Sequence, residues 1–488
     1  MKVHFPNQLA LYFLRRYLDQ RFPDGPEVEW VPFAAPTWTT RFLFDQSEHV
    51  ERAADLADVL DRVGPGSILC FGLRDIPDYL SLVLLYRQFE ERWRDRDSRP
   101  RFVVGGSLCF YLDADEFAER FPLVDCLVVG PGEEPFAQIV AATAAGHPLP
   151  KLLRGGGDRI RFPDERVLSI RPIYPCALNF DVCEWGRCRF CHHVRPRKVE
   201  SDCVAEFADD LIRLYRDKKV SRFFVFDNSI SAGTLEVLLA RLRDQGMAGK
   251  IGIDLFGMRL DRRVLEILPL VKETRILTSV EWGLESCSQR ILRLWHKGTS
   301  ASAFEPILRG MASAGVINLL FVLCGLPLSR DSDIRATERG LTQLGPHYRA
   351  VSASWFVLDR WLAAFDEREE LGIHLKDRYR ICDTFGVDFL GPHNLLTHFY
   401  DFDSTDGDRG LTRRDDFGRY LGLLSRPEVS TSQFLCFLKS PRPLVQLAMS
   451  GFPALGTAAA AAAAPPAPAP RRAGQGARRG AGHRRQAR

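Results

Sequence analysis

The sequence predicts an α/β protein with two parallel-sheet domains, because short apolar segments alternate with helical segments along two separate stretches of the chain. In the first stretch, residues 1–150, the alternation predicts a doubly wound sheet with helices on both faces. In the second stretch, residues 171–360, the strand–helix units are longer, and their succession predicts a closed or partly closed (β/α) barrel. Three cysteines within nine residues stand near the start of this second stretch and indicate a metal centre there.

The predicted strands of the first domain end in glycine-rich turns. The sequence predicts strands at 67–72, 101–106 and 124–130, and helices at 79–92 and 114–121. Strands joined by helices in this way lie parallel with right-handed crossovers, and such sheets bind ligands beyond the carboxyl ends of their strands. The glycines at those ends, which are candidate binding positions, are Gly105, Gly106, Gly130 and Gly132.

At least five strand–helix units follow a connecting segment at residues 151–170. The predicted strands are 222–227, 251–255, 279–285, 316–324 and 350–357, and the predicted helices are 204–218, 235–244, 260–270, 304–314 and 333–344. The functional groups of such a barrel lie at the carboxyl ends of its strands. Residues 361–450 lose the alternation and predict a mixed, mainly helical appendage, in which Tyr379 and Cys382 are candidate substrate contacts. Residues 451–488, rich in alanine, proline and arginine, predict a disordered tail.

Composition and charge limit the kind of protein. The net charge is +4, but residues 471–488 contain seven arginines and no acidic residue, so the remainder carries −3, which is +4 less 7. A mildly acidic body does not indicate a nucleic-acid-binding protein. No stretch approaches ~20 consecutive apolar residues, so no membrane span is expected, and the first residues lack the apolar core of a secretion signal. Twelve cysteines, most of them single on apolar segments, predict reduced thiols and a cytoplasmic location.

Cys183, Cys188 and Cys191 are separated by four and then two residues. A cubane iron–sulfur cluster has four irons, so three cysteine ligands leave one iron free to bind another molecule. On the residues alone two alternatives stay open. A zinc ion would take His192 or His193 as fourth ligand, although structural zinc sites usually pair two distant Cys-x-x-Cys halves and the sequence contains no second half. The other alternative is three unrelated buried thiols.

Polar groups and tight turns also follow later strands of the second domain. These strand-end residues are Asp227 with Asn228, Glu285 with Ser286, and Gly325 with Pro327. Each pattern alone is common in turns. The informative feature is their order along the chain, one strand end after another behind the three cysteines.

With these residues in this order, residues 175–357 resemble the radical S-adenosylmethionine enzymes, specifically those with a barrel of the coproporphyrinogen-oxidase or methylthiotransferase type. The resemblance implies that the three cysteines hold a 4Fe–4S cluster whose open iron takes the amino and carboxylate groups of S-adenosylmethionine. The stretch 285–298 is similar to a Glu-Ser…Leu…Lys-Gly stretch of that family, and Phe190 matches the aromatic residue that precedes its last cysteine. One departure is the spacing, since three then two residues is the commonest in the family.

The same resemblance implies roles for the strand-end residues. Asp227 and Asn228 would approach the methionyl amine, Glu285 and Ser286 would contact the nucleoside or the methionine end, and Gly325 and Pro327 would line the adenine side. All six would therefore bind S-adenosylmethionine.

The first domain resembles the Rossmann-like cobalamin-binding domain that is often fused ahead of this barrel. Residues 102–106, 124–125 and 130–134 are similar to its Gly-Gly…Val-Asp…Gly-Glu-Gly-Glu pattern, with Pro131 in place of the first glutamate. Gly105, Gly106, Gly130 and Gly132 would let cobalamin approach the backbone. The sequence has no Asp-x-His-x-x-Gly motif and so offers no histidine as lower cobalt ligand. A domain that has lost its cofactor is the alternative.

Together the two resemblances imply a cobalamin-dependent radical S-adenosylmethionine methyltransferase. A 5′-deoxyadenosyl radical would remove hydrogen from an unreactive carbon and methylcobalamin would supply the methyl group. Within the cobalamin-fused group, the Trp185–Gly186 and Asp227–Asn228 pairs are similar to those of enzymes that modify ribosomally made peptides and other natural products. The expected partners are therefore a substrate of that kind and a one-electron reductant, such as a flavodoxin or ferredoxin. The alternatives are a radical enzyme without cobalamin chemistry (oxidative, ring-forming or methylthio-transfer) and a zinc-stabilised interaction protein.

Overall fold

A computed structural model describes most of residues 1–430 of the 488-residue chain. The described residues are 1–5, 8–21, 23–32, 59–73, 76–94, 98–156, 160–169, 173–178, 183–191, 200–378, 393, 395, 399–406, 409–411 and 418–430. His192, His193, Tyr379, Cys382 and the predicted tail at 451–488 lie outside them.

The first sheet has six strands, all parallel, in the order β2-β1-β3-β4-β5-β6. Its strands are β1 (Lys2–Phe5), β2 (Glu29–Pro32), β3 (Ile68–Gly72), β4 (Arg101–Gly105), β5 (Cys126–Val129) and β6 (Leu152–Arg154). Its helices are Gln8–Arg21, Ile76–Trp93, Ala114–Arg120 and Glu133–Ala144, with a 3-10 helix at Ser107–Tyr111. The strand order changes direction at β1, because β2 lies on one side of β1 while β3 to β6 follow one another on its other side. This arrangement confirms the predicted doubly wound topology. The structure adds β1 and β2, and β6 extends the sheet past the predicted boundary at residue 150.

Successive residues of β3 point to opposite faces of this sheet, and both faces are buried. Leu69 and Phe71 pack with helices Ile76–Trp93 and Ala114–Arg120, whereas Ile68 and Cys70 pack with the helices on the other face. A strand covered on both faces carries a nearly continuous run of apolar residues. For this reason β3 could be predicted from the sequence. The four-residue β1 and β2 offer no such run.

The second sheet has seven parallel strands in the order β17-β12-β11-β10-β9-β8-β7. The strands are β7 (Tyr174–Cys176), β8 (Arg222–Val225), β9 (Gly252–Met258), β10 (Leu277–Glu285), β11 (Ile317–Cys324), β12 (Ala350–Trp355) and β17 (Val429–Ser430). The helices between them are Ser201–Lys218, Ala232–Asp244, Val264–Thr274, Gln289–Leu294, Phe304–Ser313 and Asp331–Leu344. This order of parallel strands, with a helix between each consecutive pair from β7 to β12, confirms a partial (β/α) barrel.

Strand β10 shows which side of the second sheet its helices cover. Trp282 is buried and its Nε1 donates to Asn318 Oδ1 at 2.8 Å, while Asn318 Nδ2 donates to the carbonyl of Leu308 in helix Phe304–Ser313 at 3.0 Å. Side chains alternate along a strand, so Glu281, with Gly283 and Glu285, lies on the opposite side. We call that opposite side the inner face.

The C-terminal region contains a small antiparallel sheet, so the prediction of a mainly helical appendage is wrong for its described part. The strands are β13 (Leu358–Asp359), β14 (Ile373–Arg378), β15 (Phe399–Asp406) and β16 (Arg409–Leu411), and the described helices there are only Ala363–Asp366 and Leu421–Leu424. Aspartates, which are poor strand formers, recur along β15, and pairing with β14 overrides that local preference. Phe402 and Ile373 then pack under Phe356 and Trp295 of the barrel.

The first helix of the chain contacts the second domain. The rings of Phe13 and Phe226, the residue after β8, meet edge to face with centroids 5.8 Å apart. Arg16 donates to the carbonyl of Pro163 at 3.1 Å, and the amide of Asp164 donates to the carbonyl of Tyr12 at 3.0 Å. The first domain is thereby attached to the connecting segment and to one strand end of the barrel. No helix in the described ranges combines the length and the hydropathy that a membrane crossing requires.

Candidate functional site

The cysteine loop, residues 183–191, is docked on the segment that follows helix Gln289–Leu294. Trp185 Nε1 donates to the carbonyl of His296 at 2.7 Å, and the amide of Arg189 donates to the carbonyl of Trp295 at 3.2 Å. The guanidinium of Arg189 donates to the carbonyl of Leu294 at 3.0 Å. Side-chain and backbone donors from one loop thus satisfy three carbonyls near a helix end, which fixes the loop in place.

Arg189 also connects the loop to the C-terminal region. Its side chain is 7 % exposed and forms ion pairs with Glu367 at 2.5 Å and Glu370 at 2.8 Å. The carbonyl of Arg189 accepts from the amide of Ala364 at 3.1 Å. The loop is therefore held on two sides, by the barrel and by the segment before β14.

The three cysteines of the loop are half-buried neighbours. Burial raises the pKa of the Cys188 thiol to about 12, against the opposing effect of Lys297, and Cys191 and Cys183 raise it further. A metal centre would displace that proton, because the thiolate is the ligand form. Among the described residues no three Cys, His, Asp or Glu side chains converge as a single metal ion would require. A cubane cluster binds each cysteine through a different iron, so it does not need such convergence.

Beside the cysteines lies a buried ion pair between Lys297 and Glu285. Lys297 Nζ is 2.7 Å from Glu285 Oε1, and the two side chains are 10 % and 15 % exposed. Burial lowers the pKa of Lys297, but the Glu285 carboxylate, together with Cys188 and Cys191, outweighs burial and holds the pKa above its ordinary value. Glu285 also has φ of 61°, a left-handed conformation that costs a residue with a Cβ about 1–2 kcal/mol. The pair therefore holds the end of β10 in a strained position next to the cysteine loop.

Two glycines make room for these contacts. A Cβ on Gly283 would lie 2.6 Å from Lys297 Nζ, and a Cβ on Gly298 would lie 2.2 Å from the ring of Trp185. Trp185 also contacts Arg259, whose guanidinium carbon is 4.4 Å from the ring centroid and whose Nη2 donates to the carbonyl of Gly298 at 2.9 Å. The tryptophan of the cysteine loop is thus packed against both a glycine and an arginine.

Replacing Gly298 by alanine is expected to destabilise the protein by about 2–3 kcal/mol in urea unfolding, because it adds left-handed strain and displaces Trp185. Gly298 has φ of 69°. The matched control is Gly249→Ala, since Gly249 has φ of 66° but nothing within 4 Å of an added Cβ. Gly249→Ala should lose only the stability that the strained left-handed backbone costs, about 1 kcal/mol. Equal losses in both variants would contradict the packing of Trp185 on Gly298.

Asp227 and Asn228 lie where β8 ends, as predicted. Asp227 is 2 % exposed, and its Oδ2 accepts from the amide of Leu178 at 2.7 Å. This contact holds the residues directly after β7 against the end of β8. The carbonyl of Asn228 would be 2.3 Å from a Cβ on Gly257, so the turn after β8 lies directly against β9. Both residues shape the strand ends, and their predicted contact with S-adenosylmethionine stays a prediction.

Ser286, Gly325 and Pro327 lie at the carboxyl ends of β10 and β11. Ser286 is buried, with its hydroxyl 2.9 Å from that of Thr337 and accepting from the amide of Ser288 at 3.0 Å. Gly325 has φ of 71°, and an added Cβ would lie 2.5 Å from the ring of Trp355. The structure therefore places Glu285, Ser286 and Gly325 on adjacent strand ends, with Ser286 used to order the turn.

The glycines of the first domain lie together at the carboxyl edge of its sheet. An added Cβ would lie 2.2 Å from the carbonyl oxygen of Leu73 at Gly106 and 2.8 Å from that of Gly155 at Gly130. These two glycines are required by the chain's own backbone. Gly105 would place its Cβ 3.3 Å from Val128, and Gly132 has its nearest atom at 3.7 Å. Their predicted role in cobalamin binding stays a prediction.

Sequence reasoning missed the polar groups of the inner face and Arg259. Asp254 and Glu281 lie within β9 and β10 rather than after them. The available signal was a charged residue at an alternating position inside an otherwise apolar strand. Arg259 follows β9 directly, and only its contact with Trp185, 74 positions earlier in the chain, identifies it.

Comparison with known proteins adds evidence on the fold. No protein-family model matches the chain, and no curated protein matches its sequence. Among solved structures, it is similar to the radical S-adenosylmethionine methyltransferase TsrM from Kitasatospora setae, solved with tryptophan substrate and an S-adenosylmethionine analogue. The match has 14 % identity over 77 % of this chain and 78 % of that chain, with a TM-score of 0.50.

A second similar structure is the cobalamin-dependent S-adenosylmethionine radical enzyme OxsB. With aqua-cobalamin bound it matches with 14 % identity over 83 % of this chain and 65 % of that chain, and a TM-score of 0.53. The form with aqua-cobalamin and S-adenosylmethionine matches with the same score over 64 % of that chain. The match thus spans just under two thirds of the length of OxsB. On this likeness, a doubly wound domain ahead of a partial barrel with a cysteine loop, the chain has the fold of the cobalamin-dependent radical S-adenosylmethionine enzymes.

Proposed function

We propose that the protein is a cobalamin-dependent radical S-adenosylmethionine enzyme, a methyltransferase that acts on an unactivated carbon of a peptide or other natural product. The observation that carries the proposal is the cysteine loop docked beside the buried Glu285–Lys297 pair at the carboxyl edge of seven parallel strands. Polar groups at that edge are where a barrel of this kind has its active site.

The donor set fits an iron–sulfur cluster. Cys183, Cys188 and Cys191 would each bind one iron. The positive charges of Lys297 and Arg259 are close enough to Cys188 to interact with its thiolate. Cations near the thiolates favour the deprotonated ligands and stabilise added negative charge. When bound, the cluster supplies one electron for cleavage of S-adenosylmethionine, and cobalamin supplies the methyl group.

The chain's own residues would position S-adenosylmethionine and keep water out. Glu285 and Lys297 offer opposite charges next to the cysteine loop, which suits the charged amino and carboxylate groups of a methionyl end. Asp227, Asn228, Ser286, Gly325 and Pro327 would form the surrounding strand ends. Phe190 of the loop lies 6.3 Å from Trp295 between ring centroids and packs against the apolar cluster that contains Trp295 and Phe402. These apolar rings restrict the access of solvent to the cysteines.

The first sheet supports the cobalamin part of the proposal. Its carboxyl edge combines Gly105, Gly106, Gly130 and Gly132 with a 3-10 helix that begins directly after Gly106. Phe110 in that helix is 55 % exposed, the largest exposed fraction among the large hydrophobic residues of the described part of the chain. An exposed aromatic ring at a glycine-rich strand edge fits a cofactor with a flat ring system.

The test is anaerobic reconstitution of the full-length protein with iron, sulfide and cobalamin. We expect acid-labile sulfide, an absorbance shoulder near about 400 nm, cobalamin that stays bound through gel filtration, and 5′-deoxyadenosine formed from S-adenosylmethionine with a flavodoxin, ferredoxin or chemical reductant. Mass analysis of a co-expressed candidate peptide then tests methylation.

Each contrary outcome points to a different function. A colourless protein that contains zinc would overturn the proposal in favour of a zinc-stabilised interaction protein. A brown protein that forms 5′-deoxyadenosine but does not retain cobalamin would favour radical chemistry without it. The first result concerns the cysteine loop and the second concerns only the first domain.

A further inference from the structure

A carboxylate lies on the inner face of the barrel, away from the cysteine loop. Glu281 is opposite Leu319 in the register of β10 and β11, and it is half-buried. On the other side the register between β9 and β10 shifts between Val280 and Trp282, so an additional residue of β9 faces this point. Glu281 shares its face with Glu285, four positions later, and so lies deeper in the barrel than the strand ends.

Aromatic rings line the inner face around this carboxylate. The ring centroids of Phe224 and Phe256 are 6.3 Å apart, and those of Phe256 and Phe321 are 5.9 Å apart, all in edge-to-face contact. Phe256 is 37 % exposed although it lies in a central strand. A large ring left open inside a sheet that is otherwise well packed indicates a surface that a ligand covers.

Two carboxylates of this face, those of Asp254 and Glu281, differ in their partners. Asp254 accepts from Arg222 at 2.9 Å, from Thr278 at 2.6 Å and from Ser279 at 2.7 Å. Glu281, in contrast, receives no hydrogen bond or ion pair from any described residue. Burial, and secondarily the charge of Asp254, raises the pKa of Glu281 to about 7. Leaving a carboxylate partly desolvated and unpaired is costly, so a structure that retains one has a use for it.

We propose that Glu281 binds a protonated amino group of the substrate, with the rings of Phe224, Phe256 and Phe321 against the carbon skeleton next to that group. The inference rests on the proposed function and names its substrate class as amine-bearing compounds. A cation fits better than a neutral donor, because the carboxylate of Glu281 carries a negative charge when ionised and aromatic rings attract cations. Asp254 is already paired with Arg222, so Glu281 is the carboxylate of the two that is left for the ligand's cation.

The proposal is tested by calorimetric titration of the reconstituted full-length protein, without S-adenosylmethionine, with three probes of similar shape. They are 2-phenylethylamine (cationic), 2-phenylethanol (neutral) and 3-phenylpropanoate (anionic). The amine should bind about tenfold or more tightly than either analogue, and Glu281→Gln should remove that preference. The matched control is Glu266→Gln, which loses the same charge on the exposed side of helix Val264–Thr274 and should bind like the unmodified protein.

The pH profile separates binding by the carboxylate from a structural effect. Two charged pairs lie near Glu281: Asp254 with Arg222 toward the amino ends of the strands, and Glu285 with Lys297 toward the cysteine loop. The neighbouring strands β11 and β12 contribute only uncharged residues to this part of the inner face, namely Leu319, Phe321, Ser352 and Ser354. The pKa of Glu281 is raised to about 7, mainly by burial. Amine affinity should therefore rise up to about tenfold from pH 6 to pH 8 as Glu281 ionises, and it should be flat in Glu281→Gln.

Glu281→Asp keeps the charge on a shorter side chain and should bind more weakly with the same pH profile. This second variant keeps the test informative where Glu281→Gln fails to fold. Equal binding of amine and alcohol, or unchanged amine preference in Glu281→Gln, would overturn the assignment. Formation of 5′-deoxyadenosine by the same preparation shows that such a failure concerns the substrate site and leaves the proposed function standing.

Discussion

Replacing Cys188 by alanine should abolish S-adenosylmethionine cleavage, with 5′-deoxyadenosine formation falling by about a thousandfold or more toward background. The cysteine loop offers three thiols, and loss of one leaves two ligands for a cluster that needs three protein contacts to keep a single open iron. The iron content and the absorbance near about 400 nm should fall together. Cobalamin retention should be unchanged, because the proposed cobalamin edge belongs to the other sheet.

The matched control for this variant is Cys203→Ala. Cys203 is also partly exposed, but it lies on helix Ser201–Lys218 outside the cysteine loop. It should keep iron, colour and activity. If Cys188→Ala retained full iron and cleavage activity, Cys188 would not be a ligand and the assignment of the loop as a cluster site would fail.

Replacing Lys297 by methionine should destabilise the protein by about 3–5 kcal/mol, because it leaves the carboxylate of Glu285 buried without its cation. The measurement is urea unfolding of the metal-free protein. Lys272→Met, on the exposed side of helix Val264–Thr274, is the control and should change stability by less than about 0.5 kcal/mol.

A double variant, Glu285→Gln with Lys297→Met, distinguishes the pair from the individual side chains. Removing both charges also removes the unpaired carboxylate, so the double variant should recover a large part of the stability lost by Lys297→Met alone. Additive losses would show that the two residues act independently. The single variant should also lower iron incorporation, because the cysteine loop rests on the segment that contains Lys297.

The strand–helix order of the barrel could be predicted closely from the sequence. The helix predicted at 304–314 is Phe304–Ser313, and the strand predicted at 350–357 is Ala350–Trp355. In both elements the apolar residues recur with the period of the helix or the strand, and the residues at those positions are the buried ones. β14 and β15 were missed because their strand conformation depends on pairing with each other rather than on a local pattern.

Part of the candidate site was also predictable. The three cysteines and the strand-end residues, such as Asp227 and Glu285, are local in sequence or follow recognisable strands. The functions of Ser286 and Asp227 as partners of neighbouring groups were not predictable, because the hydrogen bonds join residues that are 51 and 49 positions apart. Strand pairing determines which residues so far apart in the chain come into contact, and the sequence alone does not reveal how the strands pair.

The sequence by itself determined two parallel-sheet domains in a fixed order and one loop with three thiols, because periodicity and spacing are local properties. Only the tertiary structure decided which groups surround that loop. It brings the carbonyl of His296 to Trp185, 111 positions earlier in the chain, and so places Lys297 and Glu285 beside the cysteines. It also turns Glu281 to the aromatic inner face and leaves it unpaired among the described residues. The physical reason is strand register, since a shift of one residue would move every side chain of β10 to the opposite face.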